Sequence, residues 1–190
     1  ADVNKTDNNG QTALYSAADK GHDAVVKALI VAGADVNKSP DSGFSASETP
    51  LYRAACSGHE AVVNALIEAG ADVNKTDNNG QTALYSAAQG GHESVVKALI
   101  VAGADVNKSP DSGFSAGETL LYKAACSGRE AEVKALIEAG ADVGTADKNG
   151  QTALYSAAEK GREAVVKALI EGWRGRRHGG QEWPDGAVQC

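Results

Sequence analysis

No apolar run in this sequence approaches the ~18–20 residues that a membrane span requires, because Lys27, Asp35 and their equivalents interrupt every candidate. Cysteine is scarce as well: there are three, and Cys56 and Cys126 hold the same position in stretches two copies apart. Packed helices lie about 8–10 Å apart, so these sulfurs should stand roughly 20 Å from one another, beyond the ~7 Å Cα limit of a disulfide. Reduced thiols and a cytoplasmic setting, with the nucleus as a second option, are therefore expected. Positive charge is also short. The net charge is -7, and the segment from Gly172 sets Arg174, Arg176 and Arg177 against Glu182 and Asp185, which leaves the rest near -8. That argues against a nucleic-acid partner, which needs clustered Lys and Arg to displace counterions.

The motifs of catalysis are missing too. There is no phosphate-cradling Gly-x-x-x-x-Gly-Lys, no Gly-x-Ser-x-Gly elbow and no His-Glu-x-x-His. His22, His59 and His92 share one slot with Arg129 and Arg162, and a slot that accepts arginine is a helix-turn position. Metal ligands must converge at ~2.0–2.3 Å, whereas these residues lie a full repeat apart. Cys56 and Cys126 are each followed by Ser-Gly, with no second ligand at binding distance in sequence, and read as small packing groups. Recurrent carboxylates such as Asp7, Asp35 and Glu68 belong to turns. No catalytic residue, metal site or cofactor is expected, and the chain does not read as an enzyme.

What is present is repetition. The stretch from Asp7 to Asn37 returns almost letter for letter from Asp77 and again from Asp147, with a stretched version from Ser39 and another from Ser109. The tyrosines Tyr15, Tyr52, Tyr85, Tyr122 and Tyr155 are spaced 37, 33, 37 and 33 residues apart, and residues 1–70 agree with 71–140 at 60 of 70 positions. Five units of about 5–37, 38–74, 75–107, 108–144 and 145–171 follow, ahead of a Gly/Arg-rich segment, 172–190, expected to be disordered. A fixed period of this length marks a solenoid, whose units bury their apolar faces only against their neighbours. Methionine is absent and Ala1–Asn4 repeats the closing phrase of a unit without its body, so a segment of a longer array is expected.

Within a unit, Thr12 and its equivalents Thr49, Thr82, Thr119 and Thr152 each precede an Ala/Leu-rich stretch, the pattern of a hydroxyl capping a helix. A short helix from Ala13 to about Lys20 is predicted, then a turn at Gly21-His22. A second helix carries Ala24, Val25, Ala28, Leu29 and Ala32 as its apolar stripe, with Val26 and Ile30 beside it. Gly33, Gly70, Gly103 and Gly140 should close the second helices in the left-handed conformation, and a Asp-Asn-Asn-Gly cluster should form a β-hairpin-like finger. Even units lengthen that finger by four residues, and the two long fingers carry the only phenylalanines, Phe44 and Phe114. Glu132 stands where the other four units have valine, so partial exposure of that face is expected.

This grammar resembles the ankyrin repeat family, through Asp7, Gly10, Thr12, Leu14, Ala17, Ala18, Gly21, His22, Val25, Val26, Leu29 and the closing Gly33-Ala-Asp-Val-Asn37. Tyrosine replaces the family's histidine in all five units, and only Pro50 keeps its proline. The resemblance implies an all-α solenoid of stacked helix-turn-helix pairs with projecting fingers. It also implies that the tyrosines pack between layers with the hydroxyl bonded to backbone. The function implied is that of a non-catalytic protein–protein interaction module, a scaffold or adaptor binding an unidentified protein as a monomer. The alternative is the targeting segment of a larger multidomain protein whose effector domain lies elsewhere. By the same resemblance the partner meets the finger tips and the exposed face of the first helices, which line a concave groove. Odd units would contribute Asn9, Gln11, Ser16, Asp19 and Lys20, then Asn79, Gln81, Ser86 and Gln89, then Lys148, Gln151, Ser156, Glu159 and Lys160. Even units would add Arg53, Cys56 and Ser57, then Lys123, Cys126 and Ser127. Phe44 and Phe114 are either tucked against a neighbouring finger or held out as anchors.

Overall fold

The computed structural model of the chain describes residues 2–40, 46–110 and 117–177; Phe44 and Phe114 fall outside them. Among the described residues, ten helices follow one another as five pairs. They are α1 (Ala13–Asp19) with α2 (Asp23–Val31), α3 (Pro50–Cys56) with α4 (Glu60–Glu68) and α5 (Ala83–Gly90) with α6 (Glu93–Val101). The last two pairs are α7 (Leu120–Ser127) with α8 (Glu130–Glu138), and α9 (Ala153–Glu159) with α10 (Glu163–Arg177).

The first helices span only seven or eight residues, a length too short to hold a helix in water without tertiary support. Their starts are set by the threonines. Each Oγ1 accepts from the amide of the tyrosine three residues on, at 3.1–3.2 Å, which satisfies one orphan donor. Pro50 occupies the first turn of α3, where its missing N–H costs nothing. The second helices end on Gly33, Gly70, Gly103 and Gly140, all at φ between 84° and 92°, as expected.

Packing supplies the rest. α1 lies against α3, α3 against α5 and α7 against α9, while α2, α4 and α6 stack beside them, as do α8 and α10. Leu14, Leu51, Leu84 and Leu121 recur as a buried spine through four layers, joined by Leu66, Leu99 and Leu136 from the second helices. Burying each such leucine contributes about 1.5–3 kcal/mol. The slot of Val25 shows how the layers depend on one another. In inner layers Val62, Val95 and Val165 are buried, whereas Val25, with no described layer before it, is 49% exposed. At the other end Leu154 is 39% and Tyr155 54% exposed.

Four expectations are corrected. Glu132 is buried, at 7% exposure, because its carboxylate meets Arg129 one turn away at 3.3 Å. Ala24 and its equivalents Ala61, Ser94, Ala131 and Ala164 face outward, and the Val26 slot takes their place in the core. The short fingers form no strands; each is closed by a single antiparallel bridge, Thr6 to Thr12, Thr76 to Thr82 and Ala146 to Thr152. Finally, α10 does not stop near Ile170 but runs to Arg177. Gly172 is not in the left-handed conformation that ends the other second helices. It lets the extra turns lie against α8, since a Cβ there would stand 2.7 Å from Cγ2 of Ile137.

Candidate functional site

The short fingers are organised by one carboxylate each. Asp7 Oδ1 accepts from the amides of Asn9 and Gln11 at 2.9 Å, and Asp77 and Asp147 repeat the arrangement. The backbone hydrogen bonds from Gln151 and Asn149 hold the Asp147 carboxyl below the usual range. Asn9, Asn79 and Lys148 are exposed at the tips.

Behind the tips, the residue before the cap threonine is tied to the preceding layer in the second, third and fifth units. The hydroxyl of Tyr15 donates to Glu48 Oε2 at 3.1 Å, that of Tyr52 to Gln81 Oε1 at 3.2 Å, and that of Tyr122 to Gln151 Oε1 at 3.1 Å. The hydroxyls thus cross to side chains of the next finger and not to backbone as expected, and Tyr155, at the end of the stack, is exposed and not packed between layers. Burial, with the Asp77 carboxylate nearby, pushes the Tyr52 phenol up to about 12, and burial raises Tyr122 in the same way.

The serines of the expected groove divide. Ser16 is half-buried, but Ser86 is 5% and Ser156 1% exposed, so neither can meet a partner. Tyr52 and Tyr122 of the preceding layers cover them, and the hydroxyl of Ser156 lies 2.7 Å from Sγ of Cys126. Cys126 is half-buried; Cys56 is exposed, contrary to a packing role, and both are free thiols.

Towards the ends of the first helices the surface is open and charged. Arg53 on α3 reaches back one layer to Asp19, with Nε at 2.8 Å and the terminal nitrogen at 2.6 Å, and holds Glu48 at 3.5 Å. Burial, the largest single influence, would lower the pKa of the Arg53 guanidinium; the hydrogen bond and charge of Asp19, with the charges of Tyr15 and Glu48, together outweigh it and raise it. Lys123 in the equivalent slot pairs with Glu118 of its own unit at 2.7 Å. Lys20, Ser57, Gln89, Ser127, Glu159 and Lys160 are exposed. Among the described residues no group of three or more His, Cys, Asp or Glu side chains could hold a metal ion, and no helix is long and apolar enough to cross a membrane.

Two sets of cross-layer contacts were not read from sequence. Asn4, Asn37, Asn74 and Asn107 each accept, at 2.8 Å, from the amide of an aspartate in the following unit: Asp35, Asp72, Asp105 and Asp142. His59 and His92 donate through Nε2 to the carbonyls of Asp19 and Cys56 in the preceding layer, at 3.1 and 3.0 Å. A carbonyl only accepts, so Nε2 must carry the proton. Arg129 reaches the Ala88 carbonyl in the same way. The signal for the asparagine contacts was the recurrence of both partners one unit apart; those of His59, His92 and Arg129 end on backbone carbonyls, which no residue type marks.

Five helix pairs stacked through repeated cross-layer bonds define a repeat solenoid. A model of three ankyrin repeats matches residues 38–110 and 109–176, and a single ankyrin repeat matches 9–40, so the chain belongs to the ankyrin repeat family. No curated protein matches it. Ankyrin repeats are generally protein–protein interaction modules.

Proposed function

We propose that the chain is a non-catalytic scaffold or adaptor that binds a protein through the finger tips and the open ends of its first helices. The observation that carries this reading is the alignment of exposed polar side chains at two adjacent slots through successive layers: Lys20, Ser57, Ser127 and Lys160 at one, where the third layer has Gly90, and Gln89 and Glu159 at the one before it. A first-helix row that the fold leaves polar and uncovered is where a partner can dock without disturbing the core. Asn9 and Asn79 extend it onto the tips. Arg53 and Lys123 serve it as charges already held by Asp19 and Glu118, so they lose little side-chain entropy on binding. Gln81 and Gln151 belong to the support of the tips rather than to the contact itself, and Cys56 offers an exposed thiol on the same row. Phe44 and Phe114 are included as finger anchors. A reducing compartment, the cytoplasm or nucleus, and a monomeric state complete the proposal.

The test is capture from the native extract with three baits. Wild type and an outer-helix control, Lys27→Glu with Lys97→Glu, should retain the same protein, whereas Lys20→Glu with Gln89→Lys and Lys160→Glu should lose it. Retention by all three baits would place the contact elsewhere.

A further inference from the structure

The near-duplication of residues 1–70 in 71–140 makes the first odd-to-even junction an internal control for the second, and the two differ. Between the first and second layers α1 lies close against α3, and α2 against α4. Between the third and fourth layers α5 and α7 meet over the smallest contact of any neighbouring first helices, and α6 and α8 stand farther apart than α2 and α4, α4 and α6, or α8 and α10.

Each difference has a residue behind it. The ion pair of Asp19 with Arg53, 2.6 Å across the first junction, becomes Gln89 and Lys123, and Lys123 turns to Glu118 in its own unit. Val62, buried between layers, becomes Glu132. The carboxylate is buried beside Arg129, which has replaced His59, and its Oε1 has no hydrogen-bond partner. Glu93 on α6 adds a second negative charge facing it. A buried pair of this kind recovers its desolvation cost only when every polar atom is satisfied. The junction between the fourth and fifth layers has an arginine too, Arg162, but keeps valine at Val165, and α7 and α9 remain closely packed. Glu132 is therefore the discriminating residue.

We propose that the junction between the third and fourth layers is a built-in yielding point, where the array opens into two cooperative blocks, layers one to three and layers four to five. In a solenoid stability is a sum of unit and nearest-neighbour terms, so one weakened interface divides the whole. This is a property of the array itself and stands whether or not the exposed row binds a protein.

The experiment is native-state hydrogen exchange of the full chain, read by peptide mass spectrometry. Amides of α7–α10 should exchange together, at a rate differing by roughly tenfold or more from those of α1–α6. Glu132→Val should merge the two groups; the double variant Gln89→Asp with Lys123→Arg, which restores the cross-layer ion pair, should narrow the gap. One common rate in the wild-type chain, a boundary at any other junction, or a boundary that neither variant moves would overturn the proposal.

Discussion

The imidazole of His92 lies directly over Gly58: a Cβ on that glycine would stand 2.5 Å from Nδ1, while Nε2 of the same ring is 3.0 Å from the Cys56 carbonyl. The ring joins the third layer to the second only because the glycine has no side chain, and His59 over Gly21 repeats the arrangement. Gly58 also has φ of 74°, where an L side chain costs roughly 1–2 kcal/mol. Gly70, at φ 84°, has nothing within 4 Å of its Cβ position. Gly58→Ala should therefore destabilise by about 1–2 kcal/mol more than Gly70→Ala, as measured by urea denaturation. Equal losses would mean the ring moves aside freely.

The asparagine ladder is a second cross-layer device. Asn74 takes the amide of Asp105 and its own amide hydrogen-bonds the Asp72 side chain at 2.9 Å, so it links two units. Asn74→Ala leaves a backbone N–H of the next unit without its acceptor and should cost on the order of 1 kcal/mol. Asn74→Asp keeps an acceptor and should cost less. Thermal melts of the two variants decide the point; an alanine as stable as wild type would show that water replaces the bond.

These contacts also mark the limit of what the sequence shows. Threonine caps, glycine turns and the leucine spine are local or periodic, and each could be placed from one unit alone. Exposure at the proposed contact row could not, because it depends on what the neighbouring layer lays over a slot. Ser16 and Ser86 occupy the same position, yet Ser86 is covered by the Tyr52 of the layer before it. Glu132 was read against four valines as a sign of exposure, but Arg129 one turn earlier supplies a partner inside. Gly172 looks like a helix breaker until α8 is placed beside it.

Ser47 is the one described residue other than glycine with a positive φ, 66°, and its copy in the fourth unit is Gly117 at φ 77°. Both donate their amide to a proline carbonyl at 3.0 Å, Pro40 and Pro110, so the two long fingers are closed at the base in the same way. The copy thus shows which side chain the backbone prefers there. Ser47→Gly should raise stability by about 0.5–1 kcal/mol, the left-handed strain removed less the added freedom of the unfolded chain. A fall in melting temperature would mean the serine side chain contributes more than its conformation costs.

Glu132 makes stability at this junction depend on pH. Burial raises its pKa, the charge and hydrogen bond of Arg129 pull it down by less, and Glu93 pushes it up again. Because the folded value lies above the unfolded one, the protonated side chain favours the fold. Its contribution is complete below the unfolded pKa, about 4.3, and is lost as pH rises through the folded value. Other carboxylates titrate in the same window, so the quantity to follow is the difference between wild type and Glu132→Gln, in which their effects cancel. Near pH 4 the two should melt together. By pH 7 the glutamine variant should be the more stable, by an amount on the order of 1 kcal/mol, because it no longer holds a charge away from water. Should Glu132→Gln instead be the weaker protein at pH 7, the Arg129 pair would be repaying more than burial takes, and the junction would be held by that pair.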